Sequence, residues 1–146
     1  MRTLPQILAA KPLRIISVPP TATVFEALET MARREIGALL VMRGSHLLGV
    51  VSERDYARKV VLLNKASRDI PVSEIMVRDV VCVTPEFSVE ECLGLMTDKR
   101  VRHLPVIEHG EVIGLLSIGD LVKETSAKTG ENVQVRRFVR YQLGEA

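Results

Sequence analysis

Two stretches of this sequence set a hydroxyl and a carboxylate three residues apart at the end of a glycine-led apolar run: Gly49-Val50-Val51-Ser52-Glu53-Arg54-Asp55 and Gly114-Leu115-Leu116-Ser117-Ile118-Gly119-Asp120. In each, a strand-like pattern gives way to a helix-like one at the serine. A helix start presents unpaired backbone N–H groups, so Ser52 and Ser117 stand where a phosphate oxygen is favoured. Asp55 and Asp120 carry carboxylates able to accept both hydrogen bonds of a ribose diol. That chemistry suits a nucleotide. The same Ser-x-x-Asp spacing is also a capping box, which serves any helix start without a ligand, and so short a motif leaves both readings open.

The two stretches belong to a longer duplication. Residues 17–56 and 82–121 align without a gap at a constant offset of 65. Val18, Pro20, Val24, Glu26, Leu28, Met31, Leu39, Val41, Gly49, Ser52 and Asp55 recur as Val83, Pro85, Val89, Glu91, Leu93, Met96, Leu104, Val106, Gly114, Ser117 and Asp120. Recurrence of the motif in register, glycine included, favours the binding reading. Two similar units side by side form one body with a pseudo-twofold axis and a cleft on either side of it.

The elements that must position the motif are legible in each copy as strand, helix, strand, strand, helix. Thr23 with Glu26 makes a capping box, and Val24, Ala27, Leu28 and Met31 follow at helical spacing; Ser88, Glu91, Val89, Cys92, Leu93 and Met96 repeat the device. Strands are expected at 36–42 and 47–51, and again at 101–107 and 112–116, each pair joined by a polar turn of hairpin length. The nearly continuous apolar run from Ala38 to Met42 predicts a strand covered on both faces. Ser52 and Ser117 then open helices reaching about Leu63 and about Glu124. Pro71 to Met76 reads as a short capped helical turn leading into a strand from Val80 to Thr84. Pro5-Gln6-Ile7-Leu8 is a looser echo of that turn, lying three residues farther from its strand.

The fold class is therefore mixed α/β (α+β), two pseudo-symmetric β-α-β-β-α repeats packed sheet to sheet. Residues 1–64 hold the first repeat with an N-terminal extension, 65–125 the second, and 126–146 a helical tail. In that tail Val135, Phe138, Val139, Gln142 and Leu143 share a helical face ending at Gly144, while Arg136, Arg137 and Arg140 read as a solvated face.

With 146 residues, 47% of them apolar, the chain can bury a sizeable core. Aromatics are only 3% with no Trp, which removes the stacking platforms of single-stranded nucleic-acid binders. A net charge of +2, spread along the chain, does not announce a polyanion partner. The start of the chain has no signal-peptide pattern and no apolar run is long enough to cross a bilayer, so the expected location is the cytoplasm and no membrane is expected as a partner. Cys82 and Cys92 sit in apolar patterns and read as reduced, buried thiols. His46 and His109 fall in turns that face solvent, and the three scattered histidines form no metal-ligand cluster. No nucleophile, base and orienting group stand together, so the motifs read as recognition without catalysis.

Taken together, the two Gly-h-h-Ser-x-x-Asp stretches, the openings Val18-Pro19-Pro20-Thr21-Ala22-Thr23-Val24 and Val83-Thr84-Pro85-Glu86-Phe87-Ser88-Val89, and Val101-Arg102-His103-Leu104-Pro105-Val106 make the chain resemble a tandem pair of CBS domains, or Bateman module, over roughly residues 3–125. It is similar to small stand-alone bacterial CBS-pair proteins, which often carry the variant Ser-Glu-Arg-Asp-Tyr found at Ser52 to Tyr56. The resemblance implies a regulatory module that binds AMP, ATP, NAD or S-adenosylmethionine in clefts between the repeats. It also implies a homodimer, a protein target, and no catalytic cofactor. Asp55 and Asp120 match its ribose-binding aspartates and Ser52 and Ser117 its phosphate-side hydroxyls. Arg54 would offer a planar guanidinium to a phosphate, where the second copy has Gly119. The cleft at Asp55 would be closed by Val83, Thr84, Val101 and Arg102, and the cleft at Asp120 by Ile16, Val18, Gly37 and Ala38. Arg102 and His103 match positions that approach phosphates, although for His103 a place beside the sheet without ligand contact fits the residue equally. An interaction module whose clefts hold no ligand, making contact through the 131–143 helix, is the alternative function.

Overall fold

The computed structural model describes residues 1–12 and 15–129, so the expected helix over 131–143 lies outside the described residues. Helix α1 (Leu4–Ala9) precedes the first repeat, which comprises β1 (Ser17–Val18), α2 (Val24–Arg34), β2 (Ala38–Arg43), β3 (His46–Ser52) and α3 (Glu53–Tyr56). The second repeat follows as α4 (Val89–Lys99), β4 (His103–Glu108), β5 (Glu111–Ser117) and α5 (Ile118–Thr129). The Thr23/Glu26 and Ser88/Glu91 capping boxes both form, each with reciprocal side-chain and backbone bonds. Both helices end at a left-handed residue, Glu35 and Arg100. In β2, Ala38 to Val41 are all buried, as the unbroken apolar run predicts.

The sheets are β1-β2-β3, with β1 parallel to β2 and β3 antiparallel, and the pair β4-β5. Each hairpin carries an irregularity at the same place, Val41/Met42 and Val106/Ile107. The strand expected from Val80 to Thr84 does not form; only a parallel bridge from Val83 to Val106 remains. The cause is one residue. In the first repeat Leu40 N–H donates to Ile16 O at 3.2 Å and extends the ladder, whereas the equivalent of Leu40 is Pro105, which has no N–H to donate.

Two helix ends also depart from expectation. After α3 the backbone widens into a π-helical turn, Ala57–Val61, stopping short of Leu63. Helix α5 instead runs past Glu124 to Thr129, no glycine or proline interrupting residues 120–129. The turn after Pro71 is a 3-10 turn, Val72–Glu74, without a side-chain cap. Cys92 is buried and Cys82 only half-buried, and both are free thiols; burial, helped by Glu91, pushes Cys92 up to about 11.

The cores do not divide along the chain as the repeats do. Val72, Ile75 and Met76 pack with Val24, Met31, Leu39 and Val51 of the first repeat. Leu4, Ile7 and Leu8, the same apolar spacing 68 residues earlier, pack with Val89, Met96, Leu104 and Leu116 of the second. Each helical turn that precedes one repeat thus completes the core of the other. The repeated glycines make this possible. A Cβ at Gly114 would lie 2.6 Å from Leu8 Cδ2, and one at Gly49 would lie 2.7 Å from both Met76 Sδ and the Val77 carbonyl oxygen. The recurring glycine, which in the sequence accompanies the binding motif, is thus accounted for by packing. Arg2 holds the same N-terminal segment to α5 through Glu124: its backbone N donates to Oε1 at 2.8 Å and its Nε to Oε2 at 3.0 Å. Those hydrogen bonds keep the Glu124 carboxyl below its ordinary range.

Gly49→Ala must move a backbone carbonyl that pairs Val77 with Val50, whereas Gly114→Ala displaces only the Leu8 side chain. Urea denaturation should show the Gly49 variant losing about 2–3 kcal/mol and the Gly114 variant about 1 kcal/mol, the usual range for overpacking; equal losses would contradict the close-approach account. Deleting residues 1–9 should lower amide protection in α4, β4 and β5 more than in α2, β2 and β3 when hydrogen exchange is followed residue by residue. The reverse order would sink the exchanged packing.

Candidate functional site in the cleft between the repeats

Both Ser-x-x-Asp motifs are built as capping boxes. Ser52 N donates to Asp55 Oδ2 at 2.9 Å, Ser52 Oγ donates to the same oxygen at 3.0 Å, and Asp55 N donates back to Ser52 Oγ at 3.2 Å. In the second copy Ser117 N donates to Asp120 Oδ2 at 2.9 Å and Asp120 N donates to Ser117 Oγ at 3.2 Å. The capping alternative is therefore realised at both sites. It does not remove the other reading, since both carboxylates stand beside a helix start and that of Asp120 remains partly exposed.

One cleft draws on both repeats. Ile16, Gly37 and Ala38 from the first and His103, Ser117 and Asp120 from the second line a space of ≈ 260 Å³, together with Lys11, Glu35, Ile36 and Leu115. Six of the residues singled out by sequence thus share one wall. His103 is the first residue of β4, in register with Ser117, and a Cβ on Gly37 would lie 4.0 Å from its Nε2. Its position follows from the duplication, because Ala38 opens β2 in register with Ser52 in the same way. Burial lowers the His103 pKa from its ordinary value, Lys11 and Arg102 add to the effect, and Asp120 and Asp55 oppose it. The ring is thus a neutral donor and acceptor near pH 7, influenced by both motif aspartates.

The remaining residues lie elsewhere. Val18 is in the first core, paired with Val41. Val83 is in the second core, with Val101 packed against it. Thr84, Arg102 and Arg54 are exposed, and the Arg102 carbonyl accepts Ile118 N–H at 2.9 Å. Asp55 is buried, and its Oδ1 lies 3.2 Å from Lys59 Nζ, one turn along the chain. Lys59 also donates to the Ile75 carbonyl at 2.8 Å.

Sequence reading missed Lys11. Its Nζ donates to Asp120 Oδ2 at 2.8 Å and to the Leu115 carbonyl at 2.9 Å. Burial pushes the Asp120 carboxyl up, but the Lys11 and Ser117 hydrogen bonds and the lysine charge outweigh it, so the net shift is downward. Lys11 follows the looser echo of the Pro71 turn, in a stretch that the 65-residue offset does not cover, so it had no repeated partner to reveal it. Beside the exposed Glu35 at its edge, the cleft offers the Asp120 carboxylate, a hydroxyl at the start of a three-turn helix, an imidazole and an ammonium. Such a set complements a diol joined to an anion.

A family model for the CBS domain matches the chain twice, at residues 10–62 and 72–127. The CBS domain-containing protein CBSX3, mitochondrial, of Arabidopsis thaliana is 38% identical over 117 residues, 77% of this chain and 57% of that protein, so the chain spans little more than half of this relative's length. A solved structure of a protein with CBS domains from Burkholderia ambifaria MC40-6 is 49% identical, with a TM-score of 0.83 over 88% of this chain and 96% of that one. The CBS domain protein PAE2072 from Pyrobaculum aerophilum, solved in complex with AMP, is 26% identical with a TM-score of 0.69, covering 78% of this chain and 88% of its own. No helix among the described residues is long and apolar enough to cross a membrane. Two family matches in tandem, laid over two repeats with the same capped aspartate and the same glycine-seated turn, establish that this chain belongs to the CBS-domain family as a tandem pair.

Proposed function

We propose that this CBS pair binds an adenosine phosphate of the AMP, ATP or NAD type in the cleft between its repeats and acts as a non-catalytic regulatory sensor. The observation that carries the reading is the convergence of Ile16, Gly37, Ala38, His103, Ser117 and Asp120 on one space drawn from both repeats. The AMP complex of a related CBS protein supports the choice of ligand class. In this reading Asp120 takes the ribose diol, and Ser117 with the first amides of α5 faces the phosphate. Ile16 and Ala38 give apolar cover to the base. Asp55, Ser52 and Arg54 serve the second cleft, closed by Val83, Thr84, Val101 and Arg102. Arg54 makes it the more phosphate-seeking of the two.

A sensor must pass its state to something else, as a homodimer or to a protein target. The exposed run Val61, Leu62 and Leu63, at 54%, 76% and 59% exposure, gives such a contact an apolar surface. The same run favours the second reading, an interaction module that needs no ligand.

Millimolar AMP, ATP or NAD should raise the melting temperature of the purified chain; no rise with any of the three would end the sensor reading in favour of the interaction module. Asp120→Ala and Asp55→Ala should each weaken AMP binding about ten- to a hundredfold at their own cleft, the range for losing hydrogen bonds to a charged group. Calorimetry in which both single variants and the double variant bind like wild type would refute the ribose role.

A further inference from the structure

The two aspartates are engaged by lysines in different ways. At Asp55 the work is divided: Oδ2 takes the Ser52 cap and Oδ1 faces Lys59, a residue of the same helical segment. At Asp120 the cap and the lysine fall on the same oxygen, Oδ2, and the lysine comes from the N-terminal stretch that precedes the duplicated residues 17–56. The position equivalent to Lys59 is Glu124, an acid, already bound by Arg2. Lys11 therefore stands in place of the missing intrahelical cation. It also lines the cleft, with the Lys11 and Asp120 side chains 25% and 22% exposed.

A ribose diol spans both oxygens of a carboxylate, and Lys11 holds one of them. A ligand that takes Asp120 must draw the ammonium away from its partner within a partly desolvated space. A nucleoside brings nothing to replace that partner. A nucleotide brings an anion into the same cleft, and a lysine, with three donors on a flexible stem, can transfer from carboxylate to phosphate.

We propose that Lys11 is a selectivity residue of this cleft: an internal cation on the carboxylate that the diol requires, exchanged for the ligand's phosphate, so that nucleotides are taken over nucleosides. The inference rests on the reading of the cleft as an adenosine-phosphate site and names the group that sets its preference. The same role is not assigned to Lys59, which belongs to the same helical segment as Asp55 and does not line this cleft.

The test is calorimetric titration of the full chain with AMP and with adenosine, the Asp120 site being identified by its loss in Asp120→Asn. Wild type should prefer AMP. Lys11→Met should weaken AMP and strengthen adenosine, narrowing the ratio about tenfold or more, the scale of one charge-assisted contact, while Lys11→Arg should keep most of it. Arg2→Met, which breaks the neighbouring tie to Glu124 outside the cleft, should leave the ratio unchanged. An unchanged ratio in Lys11→Met overturns the proposal, and so does an equal narrowing in Arg2→Met, which would mean that a loosened segment rather than the missing charge is responsible. Failure of wild type to bind either ligand is a different result: it removes the nucleotide reading itself, and the role of Lys11 with it.

Discussion

Leu8 lies over Gly114 and Met76 over Gly49, and the rest of the molecule is arranged around those two contacts. Each contact carries a helical turn from the sequence before one repeat into the core of the other. Fully burying a leucine or isoleucine stabilises a fold by roughly 1.5–3 kcal/mol, so three such side chains are a large fraction of the roughly 5–15 kcal/mol by which a domain is stable. Neither repeat closes its core from its own residues. The chain must therefore cross from the second core to the first sheet between Ala9 and Ser17, and from the first core to the second sheet between Met76 and Val83. The first crossing brings Lys11 to the cleft.

The Ser-x-x-Asp motif acquires a double meaning from that arrangement. Asp55 is 9% exposed, and a carboxylate so far from water needs partners whether or not a ligand is present. Its own serine and Lys59 provide them. In the proposed function, capping and ligand binding are two uses of one carboxylate. A diol that engages it exchanges hydrogen bonds, and only the difference between old and new partners appears as affinity.

What the sequence made legible is what local chemistry decides. Capping boxes, helical stripes and hairpin turns depend on residues within four positions of one another, and α2, α4 and both hairpins form where those patterns place them. The first strand of the second repeat was misjudged because its pairing depends on Pro105, whose missing N–H matters only once the partner strand is known. The allegiance of α1 was hidden for a similar reason: Leu4, Ile7 and Leu8 declare an apolar face but not which core receives it. Of the site, the six residues that share the cleft were legible through the repeat and the family it resembles. Lys11 was not, because its role is a contact 109 positions away. The three-residue surplus before β1 was visible as an irregularity, and the residue it contains that matters could be identified only from the folded chain.

That surplus also breaks the symmetry of the two sites. By the offset of 65, Lys59 and Glu124 are equivalent, each one helical turn beyond its aspartate. In the first repeat the turn therefore supplies an opposite charge, and the neutralisation of Asp55 stays within one segment that also holds the Ile75 carbonyl. In the second repeat the same turn supplies a like charge, and two acids on successive turns of α5 repel unless cations come from elsewhere. Both come from the N-terminal segment, Arg2 to Glu124 and Lys11 to Asp120. Anything that takes Asp120 from Lys11 removes one of the two ion pairs that, among the described residues, hold that segment to α5, leaving Arg2 and the Leu4, Ile7 and Leu8 packing to keep it in place. Occupation of the Asp55 site has no such reach. The duplicated motif builds two similar carboxylates, and the charge one turn beyond each decides that only one of them is tied to the start of the chain.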